Sequence, residues 1–479
     1  MPTGNITFGG GVNESLIGMG VLILMIASIL LIFLLPRRFV LVPLMFAAFL
    51  IPSGQTMVLG GVHVFAYRLV ILAGLMRGVI SRPSEEPLFG SGYNIVDTFC
   101  ILWALCHSTA FILQFLAMGA VVNQVGFLWD FLGGYLAIRF LIRDENDVQR
   151  TIKILASVAF TLGVTMLYEK FSHVNPFSYL AGYPIIPEVR NGSLRAQGPF
   201  HHAILAGTFG ATLIPLFFWL WKSGQNKLFG LVGLASSTAI AFSAASSTPI
   251  GAFVAGIAAI CLWPIRRNMR IIRWGIVIGI IALNFMMHAP VWWAIEHIDF
   301  AGGSAGEHRA ELVDNFFRHF GDWWLIGTHD NVNWGFEMWD LSNEYIAEGE
   351  TGGLATFICL VTVLVLNFRR IGNAREAVDG EGNKEWYFWL LGATLFSHCV
   401  AFFGISYFDQ TQLSWFALLG IIQVATTSVL ARQATTVPNE ALSPTIRLPQ
   451  NSRTQPASLD KVNPSWRRLR TGKVTTSKK

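Results

Sequence analysis

Apolar residues in this chain come in unbroken runs of about 18 to 22, the length of helix that reaches across the hydrocarbon core of a bilayer. The expected fold is therefore all-α, a polytopic transmembrane helical bundle. Composition agrees, since 53% of the 479 residues are hydrophobic and only 13% are charged. About 12 to 13 spans fit, centred roughly at residues 25, 48, 71, 106, 133, 160, 210, 235, 257, 283, 355, 396 and 421. The first run is longer than a signal-peptide core and leads into Pro36-Arg37-Arg38, so it reads as a retained helix.

The net charge of +5 does not point to nucleic acid, because residues 431–479 hold ten Lys/Arg against Glu440 and Asp460. That stretch also contains Pro438, Pro444, Pro449, Pro456 and Pro464, and reads as a disordered basic tail beside an anionic leaflet. The membrane domain is then residues 1–430. Cys100, Cys106, Cys261, Cys359 and Cys399 all lie within apolar runs, as packing residues do, rather than in a disulfide or metal framework.

Alternate loops differ in charge. One set holds Arg37, Arg38, Arg77, Arg82, Arg139, Arg143, Arg150, Lys222, Lys227, Arg266, Arg267, Arg270, Arg273, Arg369, Arg370, Arg375 and Lys384. The positive-inside rule makes these loops and the tail cytoplasmic, which leaves the N-terminus outside. Two loops of the opposite set are too long to be connectors. The first, 171–199, ends in the Arg190 to His202 segment. The second, 292–341, carries nine carboxylates against Arg309 and Arg318, with Trp323, Trp324, Trp334 and Trp339. Its pattern predicts short amphipathic helices, with Leu312, Val313, Phe316, Phe317 and Phe320 on one stripe and Arg309 in its middle.

Arg190 and Arg195 are cations on the side where topology disfavours them, and a pair of guanidinium forks suits the oxygens of a diphosphate; both also read as solvated loop cations or headgroup anchors. His201 and His202 follow as auxiliary candidates, or as residues that satisfy nearby carbonyls. Arg309 reads either as a third ligand cation or as the partner of an acid such as Asp130 or Glu169. Asn343, Glu344 and Glu348 stand where the eleventh span begins, as site residues or as an interfacial cap with acids in its first turns. Arg68 reads as snorkelling or structurally paired. Ser246-Ser247-Thr248-Pro249 offers hydroxyls or makes a turn. The outer loops contain no Asp-x-Asp pair to hold a divalent cation, and the cytoplasmic loops contain no P-loop, so no metal or nucleotide cofactor is expected.

Arg195-Ala196-Gln197-Gly198-Pro199-Phe200-His201-His202, then Ser246-Ser247-Thr248-Pro249, His308-Arg309-Ala310-Glu311-Leu312 and Ser342-Asn343-Glu344-Tyr345-Ile346, in that order, resemble segments of the O-antigen ligase and polymerase superfamily. The resemblance covers roughly residues 128–366. It implies a bacterial inner-membrane glycosyltransferase, metal-independent and inverting, that takes glycans from undecaprenyl pyrophosphate on the periplasmic face for exopolysaccharide or O-antigen synthesis. It implies a glycan or lipid-linked acceptor, and polysaccharide export or assembly proteins as partners. Arg190, Arg195 and Arg309 match the family's pyrophosphate-binding arginines. The family's base, a His before the Asn of the last motif, is Ser342 here, which leaves His308, His329 or Glu344 as substitutes. The expectation from another class is a transporter or flippase of an anionic lipid-linked glycan, in which the same arginines hold cargo.

Overall fold

A computed structural model describes residues 15–82, 86–223, 226–297 and 305–436. The expected apolar runs become α1 (Met19–Leu34), α2 (Leu41–Leu50), α3 (Ala66–Ile80), α4 (Ile95–Phe115), α5 (Met118–Leu128) and α6 (Gly134–Leu141). A π-helical turn at Trp129–Gly133 joins the last two. They are followed by α7 (Glu145–Ser172), α8 (Phe177–Ala181), α9 (Ala203–Lys222), α10 (Lys227–Ser243), α11 (Ser247–Cys261) and α12 (Met269–Met286). The long second loop supplies α13 (Ala305–Arg318) and α14 (Phe320–Trp323), and the chain ends in α15 (Glu344–Ala377), α16 (Gly382–Ala401) and α17 (Asp409–Thr436). The basic stretch expected from residue 431 begins inside α17, and its remainder lies outside the described residues, as do 1–14 and the 298–304 part of the long loop.

Helix stands at every one of the expected centres, but only seven stretches among the described residues are long and apolar enough to cross a membrane. α1, α10 and α11 are apolar but have 16, 17 and 15 residues. The turn between α10 and α11 falls at Ala244-Ala245, where Ala245 takes a φ of +43°.

Lipid tails are as apolar as leucine, so close helix packing in a membrane depends on small residues. α9 is buried along most of its length, and at Gly210 a Cβ would lie 2.8 Å from Ile240 of α10. α12 contrasts with it, for none of its residues is buried.

Polar contacts tie the loops into two ends that follow the charge partition. At the basic end Arg37 pairs with Asp147 at 2.5 Å, Arg143 with Glu86 at 2.8 Å and Arg266 with Glu385 at 2.7 Å. At the opposite end Arg68 grips Asp130 through both oxygens, at 2.7 and 2.5 Å, and Ser53 Oγ donates to Asp409 at 2.7 Å. The structural reading of Arg68 therefore holds. A second, small core of Leu312, Phe316, Trp323, Trp334, Met338 and Ile346 anchors the long loop to the start of α15.

Candidate functional site at the end opposite the basic loops

The first loop folds as a hairpin of β3 (Glu188–Arg190) and β4 (Ser193–Arg195). Its turn is Asn191-Gly192, with φ of +50° and +74°. Positive φ at both central residues is the type I′ turn, which matches the natural twist of two strands. The Asn-Gly pair is the signal from which this hairpin could have been read. Its register sets Glu188 opposite Arg195, and Arg195 Nη1 donates to Glu188 Oε2 at 2.6 Å. Arg195 is buried while Glu188 is exposed, and the Arg195 Nε finds no acceptor. Burial pulls the Arg195 pKa down; Glu188 acts against that shift and Arg190 adds to it. Arg190 itself lies on the open face of β3.

Glu169, in the last turn of α7, holds the segment just after β4. It accepts from the backbone N–H of Gly198 at 2.8 Å and of Gln197 at 3.3 Å, and from Asn175 Nδ2 at 3.1 Å. A carboxylate at a helix C-terminus opposes the dipole there, and that is the signal by which its role could have been found. Glu169 is thus committed to the loop backbone and Asp130 to Arg68, so neither is the partner expected for Arg309. Arg309 Nη2 instead donates to Thr248 Oγ1 at 2.9 Å, and Thr248 Oγ1 donates to the Gly404 carbonyl at 3.0 Å. The Arg309 helix, the start of α11 and the α16–α17 loop are joined at this point. The apolar stripe of α13 is narrower than expected: Leu312 and Phe316 are buried, but Phe317 is 55% exposed. Arg318 projects outward and pairs with Asp314.

The start of α15 is capped as well as charged. Asn343 is buried, and its side chain accepts from the N–H of Tyr345 at 3.0 Å and of Ile346 at 3.3 Å, which makes it the helix N-cap. Glu344 accepts from the Tyr407 N–H at 2.7 Å. Glu348, one turn on, meets different groups, accepting from Trp103 Nε1 at 2.7 Å and facing His107 Nδ1 at 3.0 Å. Both acids are buried and committed to interior partners.

The histidines separate. His308 Nε2 lies 3.3 Å from the Asp340 carbonyl oxygen, and His329 is exposed against the Phe115 ring. His201 and His202 are edge to face at 4.5 Å, exposed, just before α9. His202 makes no capping bond, and the charges of His201, Glu188, Arg195 and Asp340 all act on it. Partial desolvation of the ring, helped by His201, lowers its pKa from the ordinary 6.5 although much of the residue stays open to solvent.

No protein-family model matches this chain, and no curated protein matches it. The site must speak for itself. It comprises a hairpin arginine that is buried and incompletely paired and His202, whose pKa is lowered and on which the Arg195 charge acts; the Arg309–Thr248 contact joins other elements. These groups can hold an anion and accept a proton.

Proposed function

We propose that this chain is a bacterial inner-membrane glycosyltransferase of the O-antigen ligase and polymerase type, with some thirteen spans, the basic loops cytoplasmic and the hairpin on the periplasmic side. The observation that carries the reading is Arg195, a buried guanidinium on the hairpin with an unpaired Nε and one exposed carboxylate partner, whose charge acts on a histidine of lowered pKa.

The donor is a glycan on undecaprenyl pyrophosphate, and the acceptor is a sugar hydroxyl. The acceptor oxygen forms a bond to the anomeric carbon while the bond from that carbon to the diphosphate oxygen breaks. The electron pair leaves with the diphosphate, where Arg195, Arg190 and Arg309 offset the growing charge. The hydroxyl proton passes to His202, whose depressed pKa keeps a ring nitrogen free to take it. Attack from the face opposite the leaving group inverts the anomeric centre. In place of the missing family histidine at Ser342, this assigns the proton to a residue first read as an auxiliary.

A second reading, as a flippase, draws support from one observation. α15 is broken at Gly353, with φ +74° and ψ −172°, one turn from the buried Glu348–His107 pair, and broken helices near buried ionisable groups are common at transporter midplanes. Purified protein in proteoliposomes, given undecaprenyl-pyrophosphate-linked oligosaccharide, separates the two. Transfer predicts new glycosidic bonds, and Arg195→Ala should lower their rate by about 100-fold or more while the chain still inserts. Lipid that crosses leaflets with no bond formed would sink the transferase reading and favour transport.

A further inference from the structure

The two strands of the hairpin are held very differently. β4 and the segment after it are pinned on both sides of Arg195. On one side Lys170 Nζ donates to Ser193 Oγ at 2.9 Å and to the Leu194 carbonyl. On the other the Ala196 N–H donates to the Ser243 carbonyl at 3.1 Å, and Glu169 takes the N–H groups of Gln197 and Gly198. A lysine in the last turn of a helix commonly serves that helix's own free carbonyls, whereas Lys170 reaches across to β4. Glu169 and Lys170 are consecutive, so one turn of α7 fixes the backbone before and after the guanidinium. β3, in contrast, is exposed at all three of its residues and meets the molecule through its ladder with β4.

The same asymmetry runs through the ion pair between the strands. The Arg195 side chain is 6% exposed and that of Glu188 is 55% exposed. Arg195 sits on the fixed strand and cannot follow its partner into water. Glu188 can rotate away and be hydrated at little cost, because an ion pair with a solvent-facing member is weak. The contact itself is made at Arg195 Nη1, 2.6 Å from Glu188 Oε2. A carboxylate oxygen and a phosphate oxygen offer a guanidinium donor the same kind of acceptor. The donor that an anion would use is therefore already covered by an acid of the hairpin.

We propose that Glu188 is a resident stand-in for the anion, a self-inhibitory contact that an incoming diphosphate displaces from Arg195 Nη1. The proposal rests on the anion site of the preceding reading and adds its regulation. With no anion present, Glu188 spares the buried guanidinium the cost of an unpaired charge. When a diphosphate arrives, its oxygen takes the position of Glu188 Oε2 and the carboxylate turns into solvent. The apparent affinity is then the intrinsic affinity reduced by the fraction of molecules in which Glu188 has turned away. The displaced carboxylate stays on the facing strand, and its return helps to expel the diphosphate. No covalent bond changes in this exchange.

Titration of the full chain in detergent micelles with inorganic pyrophosphate, followed by calorimetry, tests the exchange. Glu188→Gln should bind about fivefold more tightly than the wild type, the factor expected for removing a competing exposed ion pair. Glu188→Ala should gain affinity in the same direction, and Arg195→Ala should lose measurable binding. Glu188 is exposed, so both of its variants should keep the thermal midpoint of the wild type. Binding that is unchanged or weaker in the Glu188 variants, while Arg195→Ala abolishes it, would overturn the stand-in and leave the anion site intact, since a carboxylate that only orients Arg195 aids the anion. Absence of pyrophosphate binding in the wild type and in both Glu188 variants would remove the anion site itself, and the stand-in with it.

Discussion

Arg139 and Arg195 are both buried arginines with an acidic partner, and they are satisfied to very different degrees. Arg139 meets Asp97 through Nε at 2.8 Å and Nη2 at 3.0 Å, Ser91 Oγ at 3.0 Å and the Gly92 carbonyl at 3.1 Å. Asp97 also accepts from the Tyr135 hydroxyl at 2.5 Å and from the Asn94 N–H at 2.9 Å, closing the capping box of α4. Arg195 has one bond, to an exposed glutamate, and an idle Nε. The first arrangement is finished without a ligand; the second leaves donors over. Burial and charge mark both residues, and only the census of hydrogen bonds tells a structural pair from a site.

The comparison makes its largest claim about stability. Removing one partner of a closed buried pair strands the other, so Asp97→Ala should cost about 3–5 kcal/mol. Arg195→Ala opens a pair whose partner already faces water, and should cost no more than about 1 kcal/mol. Denaturation of both variants in the same detergent tests this directly. If Arg195→Ala proves as damaging as Asp97→Ala, the hairpin arginine is structural and the anion site falls with it.

A middle-sized effect lies in the backbone of α15. At Gly353 the helix is interrupted with a φ of +74°, and an added Cβ would lie 2.7 Å from the Leu325 carbonyl oxygen. The freed groups at the break are met by protein: the Leu354 N–H donates to the Trp324 carbonyl at 2.9 Å, and Thr356 Oγ1 to the Glu348 and Gly353 carbonyls at 2.6 and 2.8 Å. Gly353→Ala combines the left-handed penalty with a steric one and should cost about 1–3 kcal/mol, read as a lower thermal midpoint. Substitution at Gly372, which has open space around it in the unbroken part of the same helix, is the control and should cost far less. Equal losses at the two positions would show that the break is not specified by its surroundings.

The fold was largely legible because apolar run length is a one-dimensional property, and loop charge is nearly so. Helices stand at all the expected centres, and the two loop sets occupy two ends. The site was legible only in part, because hydrogen-bond partners are chosen in three dimensions. The sequence offered Asp130 and Glu169 to Arg309, yet Arg68 and the amides of Gln197 and Gly198 reach those acids first. Asn343 reads in the sequence as a cap or a site residue, and the geometry of two N–H groups establishes the cap. The hairpin turn is legible in Asn191-Gly192, where both residues take the positive φ of a type I′ turn.

His202 carries the smallest predicted effect and bears most closely on chemistry. Burial disfavours its charged form, so its folded pKa lies below the 6.5 of the unfolded chain. The unfolded state therefore binds the proton first as the pH falls. The contribution of this group to stability is complete above pH 6.5 and declines as the pH drops from there through the folded pKa. In the wild type the thermal midpoint should slip slightly more over that window than in His202→Gln, which does not titrate there. The same shift moves the acid limb of transfer activity below 6.5, because a base with a depressed pKa stays unprotonated further down. An acid limb that persists unchanged in His202→Gln would assign the proton to another group. Loss of the limb together with most of the rate would mark His202 as the proton acceptor, a role that the closed Asp97–Arg139 pair at the other end has no free group to perform.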